Sequence, residues 1–297
     1  MNEHPRVGLV PLQWRLELND PTRFAESMQK LLIEGIQVSE DWLNKPDALK
    51  SLDTHEVSLA EKYVVIYCTA EGPITGQLPQ IMSEIHLSAS HGVNMIVLAI
   101  DGSPERDIYA GRSHEGPALT DSGMSSLCSL IDQICNDFPD TGMAISFHPH
   151  AGTYIESPNE TRALFQELNT HRMGLCLDTG HWIVGGGDAC EALHEFRSLI
   201  THIHLKDVDA GALSRLVSGE TPNLEDSVET EFLFTSLGAG TLDLEQFLAI
   251  LHETKFAGWL MLEQDATPFS AYGSTLLSRA VLDFIAPSGW LAEGGSI

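Results

Sequence analysis

Positive charge is scarce in this chain. Its 297 residues hold 16 Lys and Arg against 42 Asp and Glu, a formal net charge of −26. Such a surface repels phosphate backbones and anionic lipid, so neither nucleic acid nor a membrane is expected as a partner. Cysteine is sparse too. Cys68, Cys128, Cys135, Cys176 and Cys190 are scattered, odd in number and without a CxxC pair. That argues against a disulfide framework and for buried free thiols in a reducing cytoplasm, the expected location. The start, Met1-Asn-Glu-His-Pro-Arg6, has no charged-then-apolar leader pattern, and no apolar run approaches the roughly 20 residues that span a bilayer. No GxGxxG follows the first strand, and no Walker loop, GxSxG elbow or HExxH occurs. Dinucleotide, nucleotide, α/β-hydrolase and zincin readings lose their signatures. Gly185-Gly-Gly187 lacks the context of a phosphate loop and reads as a turn.

What is present is alternation. Short apolar strands are expected at 7–11, 35–39, 63–68, 94–100, 143–147, 173–177, 200–205 and 258–262. Helical patterns fall between and after them, at 21–34, 46–61, 78–90, 121–137, 158–170, 189–199, 242–254 and 270–284. Asp20 is placed to cap the first helix, with Pro21 in its first turn. Strict alternation implies a parallel sheet with crossover helices. Eight units in a chain somewhat longer than roughly 250 residues fit one (β/α)8 TIM barrel. We expect a single domain over 1–297, with its core at about 6–286 and a tail at 287–297. Two long loops, 101–120 and the acidic 209–240, each follow a strand. They belong on the C-terminal face, where barrel active sites form.

The late strands end in ionisable residues. The fifth delivers His148 and His150, with Glu156 just beyond; the sixth delivers Asp178 and His181. The seventh carries His202, His204, Lys206 and Asp207, and the eighth Glu263 and Asp265. Residues two apart on a strand face the same way, so His202, His204 and Lys206 share one side. A carboxylate-rich set with one or two imidazoles suits Mn²⁺, Co²⁺, Mg²⁺ or Zn²⁺. Taken singly, each has a plainer reading: a hydrogen-bonded core histidine, Asp178 as a helix cap, Glu263 in an ion pair. Four consecutive strand ends are harder to explain so, because unpaired buried charge is costly. Elsewhere the plain readings prevail. His86, His194 and His252 sit in helices, Trp259 reads as core, and 225–231 as a solvated loop face. Trp14 and Trp42, near the ends of the first two strands, suit either barrel packing or a wall for a small polyol.

Taken together, these stretches resemble the xylose isomerase-like TIM barrels, a superfamily of sugar isomerases, epimerases and lyases. Pro11-Leu-Gln-Trp14, His148-Pro-His-Ala-Gly-Thr153, Leu177-Asp-Thr-Gly-His181 and His202-Ile-His-Leu-Lys-Asp-Val208 carry the likeness. Leu237-Gly-Ala-Gly-Thr-Leu-Asp243 and Glu263-Gln-Asp265 extend it. Within the superfamily the chain looks most like the inosose (2-keto-myo-inositol) dehydratases. The resemblance implies a divalent metal held by Asp178, His204, Glu263 and a strand-five ligand. That ligand is given as Glu156, with His148 and His150 as alternatives. It further implies His148, His150, Lys206 and Glu263 as catalytic groups, with Trp14, His181 and Asp265 binding substrate. The metal would stabilise an enediolate of a keto-polyol or sugar, and loss of a β-hydroxyl would make the enzyme a lyase. Returning the proton instead would make it an isomerase or epimerase, and a barrel that has lost the chemistry would only bind. A small polyol or keto-sugar is the expected partner, and a homo-oligomer is compatible with the sequence.

Overall fold

A computed structural model describes residues 4–100 and 103–291. Eight parallel strands close into a barrel. They are β1 (Arg6–Val10), β2 (Gly35–Gln37), β3 (Ser58–Ile66), β4 (Met95–Ile100), β5 (Ala144–His148), β6 (Met173–Asp178), β7 (Ile200–Leu205) and β8 (Trp259–Glu263). Each pairs with its neighbour in sequence, and β8 closes on β1 with Val10 opposite Glu263. The helices that wrap it are α1 (Pro21–Lys30), α2 (Pro46–Thr54), α3 (Leu78–Ser90), α4 (Asp121–Asp137), α5 (Pro158–Glu167), α6 (Ala189–Glu195), α7 (Leu244–Glu253) and α8 (Ala271–Ile285). The expected TIM barrel is therefore what the chain forms. The tail expected at 287–297 lies outside the described residues from 292 onward, as does the start of the 101–120 loop. No helix among the described residues is long and apolar enough to cross a membrane.

Local chemistry accounts for the elements. Asp20 caps α1 by accepting the Arg23 N–H, and Ser157 and Glu160 form a reciprocal capping box on α5. All five cysteines are buried and free. Two glycines make room inside the barrel. A Cβ on Gly8 would stand 2.3 Å from Met261 Sδ, and one on Gly35 2.5 Å from the Trp259 ring. Trp259, as expected, is core, with the Arg6 guanidinium 4.0 Å over its ring.

Two expectations are corrected. The second helix does not run to residue 61. It stops at Thr54, Glu56 turns the chain with a φ of 58°, and β3 starts at Ser58. Ser58-Leu-Ala-Glu-Lys62 is rich in helix formers, but pairing with β2 and β4 overrides that preference. The acidic segment 209–240 is not a plain loop, since it contains helices at Ala210–Ser218 and Leu224–Glu231. Thr179–Val184, directly after β6, is also helical.

The loop that follows β7 is pinned by a single carboxylate. Asp207 is fully buried and accepts four backbone N–H groups, from Val208, Gly238, Gly240 and Leu242, at 2.9–3.0 Å. Gly240 permits the approach, since a Cβ there would lie 2.3 Å from Asp207 Oδ1. Asparagine at 207 would turn an N–H₂ toward two of these donors. Asp207→Asn is expected to cost about 3 kcal/mol, lowering the melting temperature by roughly 6–12 °C. A melt within a degree or so of wild type would show that the staple is dispensable.

Candidate metal centre

The barrel register brings the late strand ends together. Asp178 on β6 lies directly across from His204 on β7, and His204 pairs in turn with Met261 of β8, two residues before Glu263. Asp178 divides its two oxygens. Oδ1 caps the Thr179–Val184 helix by accepting the His181 N–H at 2.8 Å. Oδ2 faces the lumen, 3.7 Å from His204 Nδ1 and 3.5 Å from His148 Nε2. The capping reading and the ligand reading of Asp178 are thus compatible. Glu263 Oε2 stands 2.7 Å from His204 Nδ1. Asp178 Oδ2, His204 Nδ1 and Glu263 Oε2 are each buried without a properly directed hydrogen bond. All three lie within 4.8 Å of one another. Two carboxylate oxygens and an imidazole nitrogen, left unsatisfied and mutually close, are the donor chemistry of a divalent cation.

Lys206 sits beside them, fully buried. Its Nζ is 2.8 Å from Glu263 Oε1, 3.0 Å from Asp265 Oδ2, 3.6 Å from Asp178 Oδ2 and 3.0 Å from His181 Nε2, over the Phe234 ring. His181 Nδ1 accepts the Ala151 N–H, which puts the proton of the neutral ring on Nε2, so Nε2 is no acceptor for the ammonium beside it. His150 stacks on His181 with centroids 3.7 Å apart and bonds Ala151 O through Nδ1.

Burial opposes every charge here, and the partners decide the outcome. Desolvation alone would raise Asp178 and Glu263. Lys206 with His181 brings Asp178 well below the usual carboxylate range, and Lys206 with His204 lowers Glu263. Burial would lower Lys206, but Asp178, Asp265 and Glu263 raise it. His204 is likewise held well above the ordinary imidazole value against desolvation, chiefly by Cys176, Glu61 and Glu263. His150 goes the other way, to about 3, through burial and its His148 and Lys206 neighbours. His181 is pushed well down by burial and by His150. Burial raises Asp265 to about 6. Three carboxylates, Asp178, Glu263 and Asp265, thus surround one ammonium, an excess of negative charge that a divalent cation would neutralise.

Two expected site residues lie elsewhere. Glu156 is not among the converging groups. Its oxygens accept the Gly111 and Gly152 N–H groups at 2.8 and 2.7 Å, tying the loop after β4 to the turn after β5. The strand-five group that does reach the cluster is His148, with Nε2 3.5 Å from Asp178 Oδ2. Trp14 is packed in the core, edge-on to Phe24 at 5.5 Å, with its indole N–H on Thr275 Oγ1. Trp42 touches the same Phe24 and lines a cavity of about 280 Å³ at the ends of β1–β3. Tyr63 also lines that cavity, and its ring is 6.1 Å from His148. Sequence reasoning missed Glu61, whose Oε2 is 3.0 Å from His204 Nε2 and also bonds His202. The one available signal was a carboxylate two residues ahead of the apolar run at 63–66, hidden by the helix reading.

Burial raises the Glu156 carboxyl to about 7, against the pull of its two N–H donors. A folded value above the unfolded one means that this group's stabilisation is complete below about pH 4.5 and is lost as pH climbs to about 7. Glu156→Gln should erase this dependence. Relative to wild type, its unfolding free energy should improve by about 3 kcal/mol between pH 4.5 and 7.5, measured by urea titration at both. Its divalent-ion content should match wild type; loss of the ion would return Glu156 to the ligand set.

A family model described as xylose isomerase-like TIM barrel matches residues 67–286. The chain belongs to the xylose isomerase-like TIM barrel family. Among curated relatives, an inosose dehydratase of Geobacillus kaustophilus is 26% identical over 288 residues, covering 93% of this chain and 92% of that protein. Among solved structures, a probable 3-DHS dehydratase of Bacillus anthracis aligns with a TM-score of 0.70 at 14% identity, over 94% of this chain and 98% of the other. An IOLI protein with a bound zinc atom aligns at 0.67 and 14%, with the same coverage. At these identities the solved structures speak for the fold. As a xylose isomerase-like barrel, the chain carries its ionisable cluster at the C-terminal strand ends, where such folds keep their active sites.

Proposed function

We propose that this protein is a divalent-metal-dependent lyase that dehydrates a cyclic keto-polyol, as its likeness to inosose dehydratases suggests. One observation carries the reading: three unpartnered ligand atoms, on Asp178, His204 and Glu263, converge beside a buried lysine ammonium. His148 would complete the ligand set, since its Nε2 is 3.5 Å from Asp178 Oδ2. The zinc in the similarly folded IOLI protein agrees with this donor chemistry. A divalent ion held there supplies a Lewis acid for a substrate carbonyl. The protein's own groups handle the protons. His150, half-buried and neutral at physiological pH, with Nδ1 on Ala151 O and Nε2 left as the acceptor, takes the proton α to the ketone. Lys206 carries the proton for the departing β-hydroxyl, so that a C–H and a C–O bond break and one water leaves. Asp265 and Glu263, both accepting from the ammonium, hold it in place. The cavity bordered by Tyr63 and Trp42 adjoins the cluster and suits the ring of the substrate.

The test is to incubate the metal-loaded protein with 2-keto-myo-inositol and follow ultraviolet absorbance and product mass. A rising conjugated-enone band with the loss of one water is the expected result. A new stereoisomer at unchanged mass would move the assignment to an epimerase or isomerase. Tight ligand binding without turnover on any keto-polyol would make the barrel a binding protein.

A further inference from the structure

β3 stands diametrically opposite β7 in the barrel order. Glu61 of β3 is fully buried, and its Oε2 meets both imidazoles of β7, His204 Nε2 at 3.0 Å and His202 Nε2 closer still. Barrel interiors are ordinarily filled by apolar layers, so a carboxylate and two imidazoles at this depth call for a reason. A carboxylate only accepts, so the ring nitrogens that face it bear protons. The other nitrogen of His204, Nδ1, is turned to Asp178 Oδ2 and Glu263 Oε2, so without a cation it is protonated too, and a cation entering there displaces that proton. An imidazole binds a cation through its unprotonated nitrogen, and the hydrogen bond at the opposite nitrogen selects which one that is. We infer that Glu61, braced by His202, is a positioning residue for the metal centre: it fixes the proton on His204 Nε2 and aims Nδ1 at the cation. The inference rests on the divalent-ion reading above.

Glu61 lies on a strand that supplies none of the proposed ligands, and His202 lies one step earlier than His204 on the same face of β7. His202 and His204 are two apart on one face of β7, so one carboxylate oxygen can hold both rings. Glu61 would therefore act through His204 and not through substrate. Its loss should change metal affinity and the imidazole tautomer before it changes anything at the barrel mouth.

The test uses the full chain, stripped by chelator and titrated with Zn²⁺ against a competing indicator. Glu61→Ala should bind zinc about tenfold to a hundredfold more weakly, while Glu61→Gln, which keeps an acceptor oxygen, should lose less than about tenfold. Imidazole ¹⁵N spectra should show the His204 proton on Nε2 in zinc-loaded wild type. A folded Glu61→Ala that binds zinc within about twofold of a zinc-binding wild type overturns the inference alone, as does a proton found on Nδ1. A wild type that takes up no zinc overturns the metal reading and the inference with it. Should Glu61→Ala fail to fold, Glu61→Gln and the wild-type spectrum still decide.

Discussion

His204→Ala and Glu263→Ala are each expected to strip the protein of its divalent ion, from about one per chain toward none, and to abolish turnover. Each change removes one of the three unpartnered atoms that define the site. What remains, Asp178 Oδ2 with either Nδ1 or Oε2 and His148 Nε2 3.5 Å from Asp178, is an incomplete set that should release the ion on dialysis. The two variants should differ in stability. Glu263→Ala withdraws one carboxylate from a cluster that holds three against one ammonium, and Lys206 keeps Asp265 at 3.0 Å. Little stability should be lost without metal. His204→Ala leaves Glu61 with one imidazole in place of two and removes a large buried ring, at about 2–4 kcal/mol. Metal analysis after dialysis, paired with urea titration of the stripped proteins, separates these effects. Full ion retention in both variants would rule out this centre.

The distance between sequence and structure is uneven along the chain. The late strands were legible because each is an apolar run that stops at an ionisable residue, and burial makes that combination rare unless the charges meet something. Asp178, His204, Lys206 and Glu263 could be named on that ground. Glu61 could not. It lies in Ser58-Leu-Ala-Glu-Lys62, whose local preference is helical, and its partners are 141 and 143 residues away. Only closure of the barrel turns that stretch into a strand. Glu156 was expected at the site and lies apart from it for the opposite reason. It is near His148 in sequence, but the Gly152 turn, with a φ of 72°, sends its carboxylate to backbone N–H groups and not into the lumen. Trp14 shows the same limit: proximity to a strand end does not say which side of the sheet a ring will occupy.

Lys206→Met tests the other half of the site. The methionine matches the stem in length, and Gly180 already clears space for that stem, since a Cβ there would lie 2.6 Å from Lys206 Cγ. Packing should therefore survive, while Asp178, Glu263 and Asp265 lose their shared cation. Breaking a buried pair in this way costs about 3–5 kcal/mol, because the charges left behind stay buried. For a chain of this size the metal-free variant should melt on the order of 10 °C below wild type. A divalent ion should restore part of that loss, since it neutralises the same oxygens. Turnover should not return. An ion can replace the ammonium as a charge but not as the proton donor to a leaving hydroxyl, a role worth about two to four orders of magnitude in rate. Metal-dependent recovery of the melting temperature without recovery of turnover is therefore the expected pattern. Recovery of both would reduce Lys206 to an electrostatic prop, and the proton would have to come from another group at the barrel mouth.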